Sequence, residues 1–255
     1  MRCSVFLLLL LPLCKAYHVL FVHNMGTKSN LITMKPVLEE MLERGHKVTT
    51  VIYNTLDLNN HQNYTEVVVP SVTEQLIVDV SKKMMGKEGT NFLSPSFWMW
   101  VYNLYKDRMG NIALDMFTAE PVLDLIKKRP KVDVVMAMSP NMALFAEIFD
   151  CPLVTFLPNG PLAAVMGGTT NVINLSVQPN LMATHIEPMT FVERVKNHAI
   201  SSFFDMYMRW LTNLQFEYQK EFLSEELGLE VNDPAAVVKS RSPEKKMLKQ
   251  MIIFL

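Results

Sequence analysis

Cysteine is scarce in this 255-residue chain: Cys3 and Cys14 sit in the opening apolar stretch, which leaves Cys151 alone. One thiol closes no intrachain disulfide, so stability must come from an ordinary apolar core. Lying between two apolar elements, Cys151 itself reads as a small buried hydrophobe. Glycine is thin as well, at nine residues. No G-x-G-x-x-G follows a strand-like run, which removes the phosphate loop that dinucleotide binding needs. A P-loop, a G-x-S-x-G elbow, an H-E-x-x-H pair and a C-x-x-C pair are all missing. The six histidines are scattered without metal-ligand spacing, so no metal site is expected. Neither sign of charge dominates, with a net charge of −1 and no basic stripe carrying interleaved aromatics, and nucleic acid is not an expected partner. No apolar run approaches the roughly 20 residues that cross a bilayer. Met251 to Leu255 is apolar but far too short, so no membrane-spanning segment is expected.

What is present begins at the first residue. Arg2 supplies a positive start, Val5 to Leu13 is apolar, and Cys14 and Ala16 place small residues at −3 and −1 of a cleavage site. Residues 1–16 therefore read as a signal peptide, with Tyr17 opening the mature chain. The compartment expected is the secretory pathway, either the endoplasmic reticulum lumen or the exterior. In that setting two sequons, at Asn63 and Asn174, are candidate glycosylation sites.

Alternation of short apolar runs with helical patterns predicts an α/β fold, a Rossmann-like parallel sheet with helices on both faces. Tyr17 to Val22 reads as a buried strand and His23 to Ser29 as a polar loop. Residues 31–44 put Leu31, Met34, Val37, Leu38, Met41 and Leu42 on one helical face, and Gly45 stops that helix. Val48 to Tyr53 is β-branched and reads as the second strand, with Val67 to Val69 a candidate for another. The same grammar returns as a helix over Pro121 to Arg129, a strand over Val132 to Ala137, a helix over Asn141 to Phe149 and a strand over Leu153 to Phe156. Between the two blocks, residues 71–118 read as largely helical and carry an aromatic cluster that includes Phe92, Trp98 and Trp100. That cluster reads either as an apolar wall for a lipophilic ligand or as helix-to-sheet packing. Residues 157–187 read as a long irregular segment, and Pro188 to Leu227 as one or two long amphipathic helices.

Three tracts carry a resemblance. Lys28 to Thr50 reads KSNLITMKPVLEEMLERGHKVTT, Lys131 to Pro152 reads KVDVVMAMSPNMALFAEIFDCP, and Pro188 to Asn197 reads PMTFVERVKN. In this order and spacing they resemble the N-terminal half of the UDP-glycosyltransferases, over about residues 17–238. The closest piece is Arg44-Gly45-His46-Lys47-Val48-Thr49, matching the family's R-G-H-x-V-T. The resemblance implies a domain that binds a small lipophilic acceptor, facing a second domain that binds a UDP-sugar donor. It also implies a histidine base in the first loop and an aspartate that orients it; such a base contributes about 10²- to 10⁴-fold to rate.

Both of those positions are altered here. The family's Ser-His is Ser29-Asn30, and its D-V-x-x-x-D ends in Met138. An amide has no basic site near neutral pH, and a thioether neither carries negative charge nor orients an imidazole. His23, at the head of the same loop, is the one candidate substitute. The acceptor contacts that the resemblance implies fall at Phe92, Trp98, Trp100 and Phe156.

Nothing in these residues resembles the family's donor signature, with its W-x-P-Q, H-x-G and D-Q elements. The expected organisation is thus a leader, an acceptor-binding domain over 17–238 and a divergent, poorly ordered tail over 239–255, with the donor-binding domain missing. No cofactor is expected on the chain itself; the UDP-sugar is a substrate of the full-length family. Three functions remain in view. One is sugar transfer, with the donor half supplied by another chain. A second is a non-catalytic lipophile-binding module, or a partner that docks on an intact family member. The third is an inactive fragment with an exposed apolar face.

Overall fold

The computed structural model describes residues 16–24, 28–70, 114–156, 174–179, 188–233 and 236–237, with isolated helical positions at 82, 96, 99, 100, 102 and 103. Its centre is a five-stranded parallel sheet. The strands are β1 (His18–Val22), β2 (Lys47–Ile52), β3 (Tyr64–Val68), β4 (Val134–Ala137) and β5 (Leu153–Thr155), in the order β3-β2-β1-β4-β5. The central strands are apolar at nearly every position because both of their faces are covered. Val19 and Phe21 of β1 point to one core, and Leu20 and Val22 point to the other. The edge strand β3 behaves differently, with Tyr64 buried and Thr65 and Val68 exposed.

Helix α1 (Lys28–Glu43) covers the first face with Leu31, Met34, Leu38, Met41 and Leu42. It begins three residues before the expected start, so Asn30 lies in its first turn and not in the preceding loop. The reason is packing: Asn30 and Leu31 are both buried, which draws the first turn onto the sheet. Pro36 sits inside this helix on its exposed side, next to the turn of exposed Ile32, where an unpaired carbonyl can face solvent. The helix stops as the sequence predicts. Gly45 is left-handed at φ +83°, its N–H donates to Leu42 O at 2.9 Å, and His46 N–H donates to Met41 O at 3.0 Å.

The second face is covered by α2 (Glu120–Lys128), by the short α3 (Leu144–Ile148) and by the C-terminal half of α4 (Phe191–Leu227). Val122, Ile126, Phe145, Phe216 and Leu223 join Leu20, Val22 and Val135 in that core, and Phe117 stacks on Phe145 at 4.9 Å between ring centroids. The helix expected over Asn141 to Phe149 is broken in two. A 3-10 turn (Pro140–Ala143) comes first, since Pro140 and the tight exit from β4 favour it, and α3 follows. The strand expected from Val132 starts at Val134, because Asp133 at its head is held by His18 N–H at 2.8 Å.

The region from Pro188 contains one helix, not two. Thr190 caps α4 reciprocally with Glu193, and Gly228 ends it at φ +62°. Its 37 residues span about 55 Å at 1.5 Å per residue, far longer than the strands it crosses. The expected signal peptide, apart from Ala16, the tail over 239–255, and most of 71–113 and 157–187 lie outside the described residues.

Candidate functional site

The strand order runs outward from β1 in both directions, so the connections reverse between β1 and β4. In open parallel sheets, ligands bind in the crevice beyond the carboxyl ends of the strands at such a reversal. Two residues mark that edge here. His23 follows Val22 and Met138 follows Ala137, and Val22 and Ala137 are register partners. His23 extends the ladder toward β2 through its N–H to Val51 O at 3.0 Å.

The α1 side of this edge gathers the residues singled out in the sequence. The His23 ring stacks on Phe21, with centroids 6.4 Å apart and planes at 28°. Met138 packs in the same core as Phe21, Leu31 and Met34, and Phe156, just after β5, packs against that core partly buried. Asn30 is on the buried side of the first turn of α1. The fold thus brings His23, Asn30 and Met138 to one face at one end of the sheet, although 115 residues separate the first from the last. Phe92 and Trp98 lie outside the described residues; Trp100 is helical and partly buried.

His23 is fully buried, and neither ring nitrogen has a hydrogen-bond partner. Burial lowers its pKa to about 4, so the imidazole is neutral at pH 7. With Asn30 and Met138 on the same side of the sheet, this face carries an amide, a thioether and a neutral ring. Such a group can donate or accept a hydrogen bond but holds a substrate proton poorly.

The α4 side of the same edge carries polar residues that the sequence did not single out. Buried Asn141, in the 3-10 turn, donates from Nδ2 to Gln215 Oε1 of α4. Its Oδ1 is buried without a partner, as are Asn24 Oδ1 and Ser139 Oγ. Each such atom costs about 1–3 kcal/mol when no group answers it. Tyr53, just past β2, is buried and hydrogen-bonded to buried Asp115, and its pKa is raised by burial first and by that carboxylate second. A sequence signal existed for some of these. Asn24, Tyr53 and Ser139 each stand one or two residues past a strand's carboxyl end, where the switch-point rule places ligands.

The opposite end of the sheet is fully occupied. His18 Nδ1 lies 2.7 Å from Lys131 O, which can only accept, so Nδ1 carries the proton. Nε2 then accepts from Thr49 Oγ1 at 2.9 Å. His46 Nδ1 accepts from Tyr17 N–H at 3.2 Å. Asn63 and Asn174, the two sequon residues, are exposed: the first precedes β3, and the second accepts from Ser176 N–H through Oδ1 at 3.1 Å. Among the described residues, no three His, Cys, Asp or Glu side chains gather as a metal site would require, and no helix is long and apolar enough to cross a membrane.

Comparison with known proteins agrees with this architecture. The family described as UDP-glucoronosyl and UDP-glucosyl transferase matches residues 18–244. The chain belongs to that family. Its similarity to individual members is moderate. It is 28% identical over 216 residues to UDP-glucuronosyltransferase 2B30 of Macaca fascicularis and 27% identical over 221 residues to UDP-glucuronosyltransferase 2B15 of Homo sapiens. Each match covers 78% of this chain and 39% of the relative, so the chain spans well under half the length of the curated relatives it matches. The parallel sheet and flanking helices are those of a Rossmann-like N-terminal glycosyltransferase domain.

Proposed function

We propose that this chain is the acceptor-binding half of a UDP-glycosyltransferase and that it binds a small lipophilic molecule without deprotonating it. The observation that supports this reading best is the meeting of Asn30, Met138 and His23 on one face of the switch-point edge. In the family that the chain belongs to, this is where a base and its orienting carboxylate would stand. Here the amide has no basic lone pair, the thioether no charge, and the buried imidazole a pKa of about 4. A base that weak takes little of an acceptor's proton at pH 7.

Sugar transfer from a UDP-sugar would require a donor-binding surface beyond the residues described, whether from this protein or from an intact family member docked on it. Phe156, Trp100 and, from the sequence, Phe92 and Trp98 are the proposed apolar contacts for the acceptor. The proposed compartment is the secretory pathway, as endoplasmic reticulum lumenal or secreted protein, with glycosylation at Asn63 and Asn174.

Two measurements test this. Titrating the 17–255 chain with hydrophobic phenols and steroids should give saturable quenching of tryptophan fluorescence; no saturation across the panel would count against acceptor binding. Supplied with UDP-sugars and the same acceptors, the chain should release no UDP. Turnover would show that a base exists and would overturn the non-catalytic reading.

A further inference from the structure

The N-terminal half of α4 is turned inside out. At about 100° of rotation per residue, Phe191, Val192, Val195, Phe203, Met206 and Trp210 fall within one sector of about 120°. All six are exposed, Phe191 by 74% and Met206 by 63%. Asn197, opposite the centre of that sector, is fully buried. Its Nδ2 donates to Leu175 O at 2.7 Å and to Gln178 O at 2.9 Å. Ser201, one turn on, is buried as well. A helix that packs on a globular core does the reverse. The apolar surface extends past α4. Exposed Tyr102 stacks on Trp210 at 5.9 Å between ring centroids, and Met99, three residues before Tyr102, is exposed too.

Charge indicates what this surface meets. Lys196 borders one edge of the sector and Arg209 the other, with Arg194 just beyond, and all three are exposed. The carboxylates of this half are committed within the helix: Glu193 completes the Thr190 cap, and Asp205 accepts from Arg209 at 2.8 Å. Two copies packed face to face would set cationic edges on cationic edges, which is costly. Lipid phosphates answer both edges at once, with the basic stems lying along the apolar surface and their heads reaching outward. The sector also has a defined end. Beyond Trp210 it continues as exposed Glu217 and Glu221, which an anionic surface repels. Trp210 and Tyr102 stand near that boundary, and such amphipathic rings favour the headgroup level.

We propose that the N-terminal half of α4 lies in the surface of a phospholipid bilayer bearing anionic headgroups, its apolar sector at the headgroup–acyl boundary. The contact is peripheral, stops at Trp210 and does not depend on acceptor binding.

The test is flotation of the 17–255 chain with phosphatidylcholine vesicles, with and without about one quarter phosphatidylserine. The chain should float with the mixed vesicles. The double variant Val195→Glu, Met206→Glu should bind them at least about tenfold more weakly, since two charges enter the apolar sector. Both positions are exposed, so its thermal melt should match that of the unaltered chain. Arg194→Gln, Lys196→Gln should weaken binding to mixed vesicles at least about fivefold and leave binding to phosphatidylcholine alone unchanged. No flotation of the unaltered chain would overturn the proposal. Equal flotation of the Val195, Met206 variant would overturn it too, by moving lipid contact to another part of the chain. Should that variant fail to fold, the Arg194, Lys196 variant decides, and undiminished binding to mixed vesicles counts against the proposal. A concentration-dependent dimer in sedimentation equilibrium, without flotation, would assign the surface to a second copy instead.

Discussion

The two ends of the sheet treat their polar side chains in opposite ways. At the amino end, His18 spans three segments: its ring meets Thr49 of β2 and Lys131 before β4, while its backbone N–H meets Asp133. His46 is likewise engaged by Tyr17. At the carboxyl end, five residues later and just past the same strand, the His23 ring is more deeply buried and has no partner, and Asn24, Ser139 and Asn141 each leave an oxygen unanswered. One end uses its polar groups to close the fold. The other keeps buried polar groups that weaken the fold, the arrangement expected where a ligand is to be met.

The largest effect that could break this contrast is acid sensitivity. Burial depresses the folded-state pKa of His23 to about 4, below the ordinary imidazole value of about 6.5. The unfolded chain therefore binds the extra proton first. The contribution is fully present above about pH 6.5 and is lost as pH falls toward 4, amounting to roughly 3 kcal/mol at most. Denaturant midpoints measured across that window should fall with pH in the unaltered chain and flatten in His23→Leu. That variant should also be more stable at pH 7, by about 1–3 kcal/mol, because a buried unpartnered ring is gone. A drop in stability at pH 7 would mean that His23 has a partner in solution. His18 is shifted in the same direction, by burial first, so the slope should diminish in the variant without disappearing entirely.

A smaller effect of opposite sign is expected at the amino end. Asp133→Ala leaves the His18 N–H without its acceptor and should cost about 1–2 kcal/mol in chemical denaturation. If it costs nothing, the amino end is not held by its polar contacts and the comparison fails on that side.

The smallest effects sharpen the same picture at the helix stops that feed the amino ends of β2 and β5. Gly45 has φ +83°, so Gly45→Ala should lower stability by about 1 kcal/mol. Asp150 ends α3 at φ +51° with Cys151 N–H donating to Ala146 O at 3.0 Å, the same cap without glycine. Asp150→Gly should therefore raise stability by a few tenths of a kcal/mol to about 1 kcal/mol. Thermal melts of the pair read the two signs directly.

Much of the fold was legible because its signals are local. Leu31, Met34, Leu38 and Met41 recur at helical spacing, Gly45 stops that helix where expected, and VTTVI reads as a strand without reference to anything else. Boundaries moved where tertiary contacts intervened. Asn30 was drawn into the first turn of α1 by burial, and β4 starts late because His18 holds Asp133. Of β3 the sequence shows only Val67 to Val69, since Tyr64 to Glu66 owe their strand conformation to pairing with β2; Tyr64 OH meets Thr50 at 2.9 Å and Glu66 takes the N–H of Leu56 at 2.8 Å.

The candidate site divides in the same way. By itself the sequence determined the family, the alternating α/β order, and the amide and thioether at positions 30 and 138, all of which are matters of residue type and spacing along the chain. Only the tertiary structure decided that His23 is buried and neutral, and that Asn141 faces Gln215 across 74 residues. Only there do Asn24 and Ser139 become neighbours in register. The physical reason is that burial, pKa and unanswered hydrogen bonds belong to a residue's surroundings. In a parallel sheet with the order β3-β2-β1-β4-β5, those surroundings are assembled from strands more than a hundred residues apart.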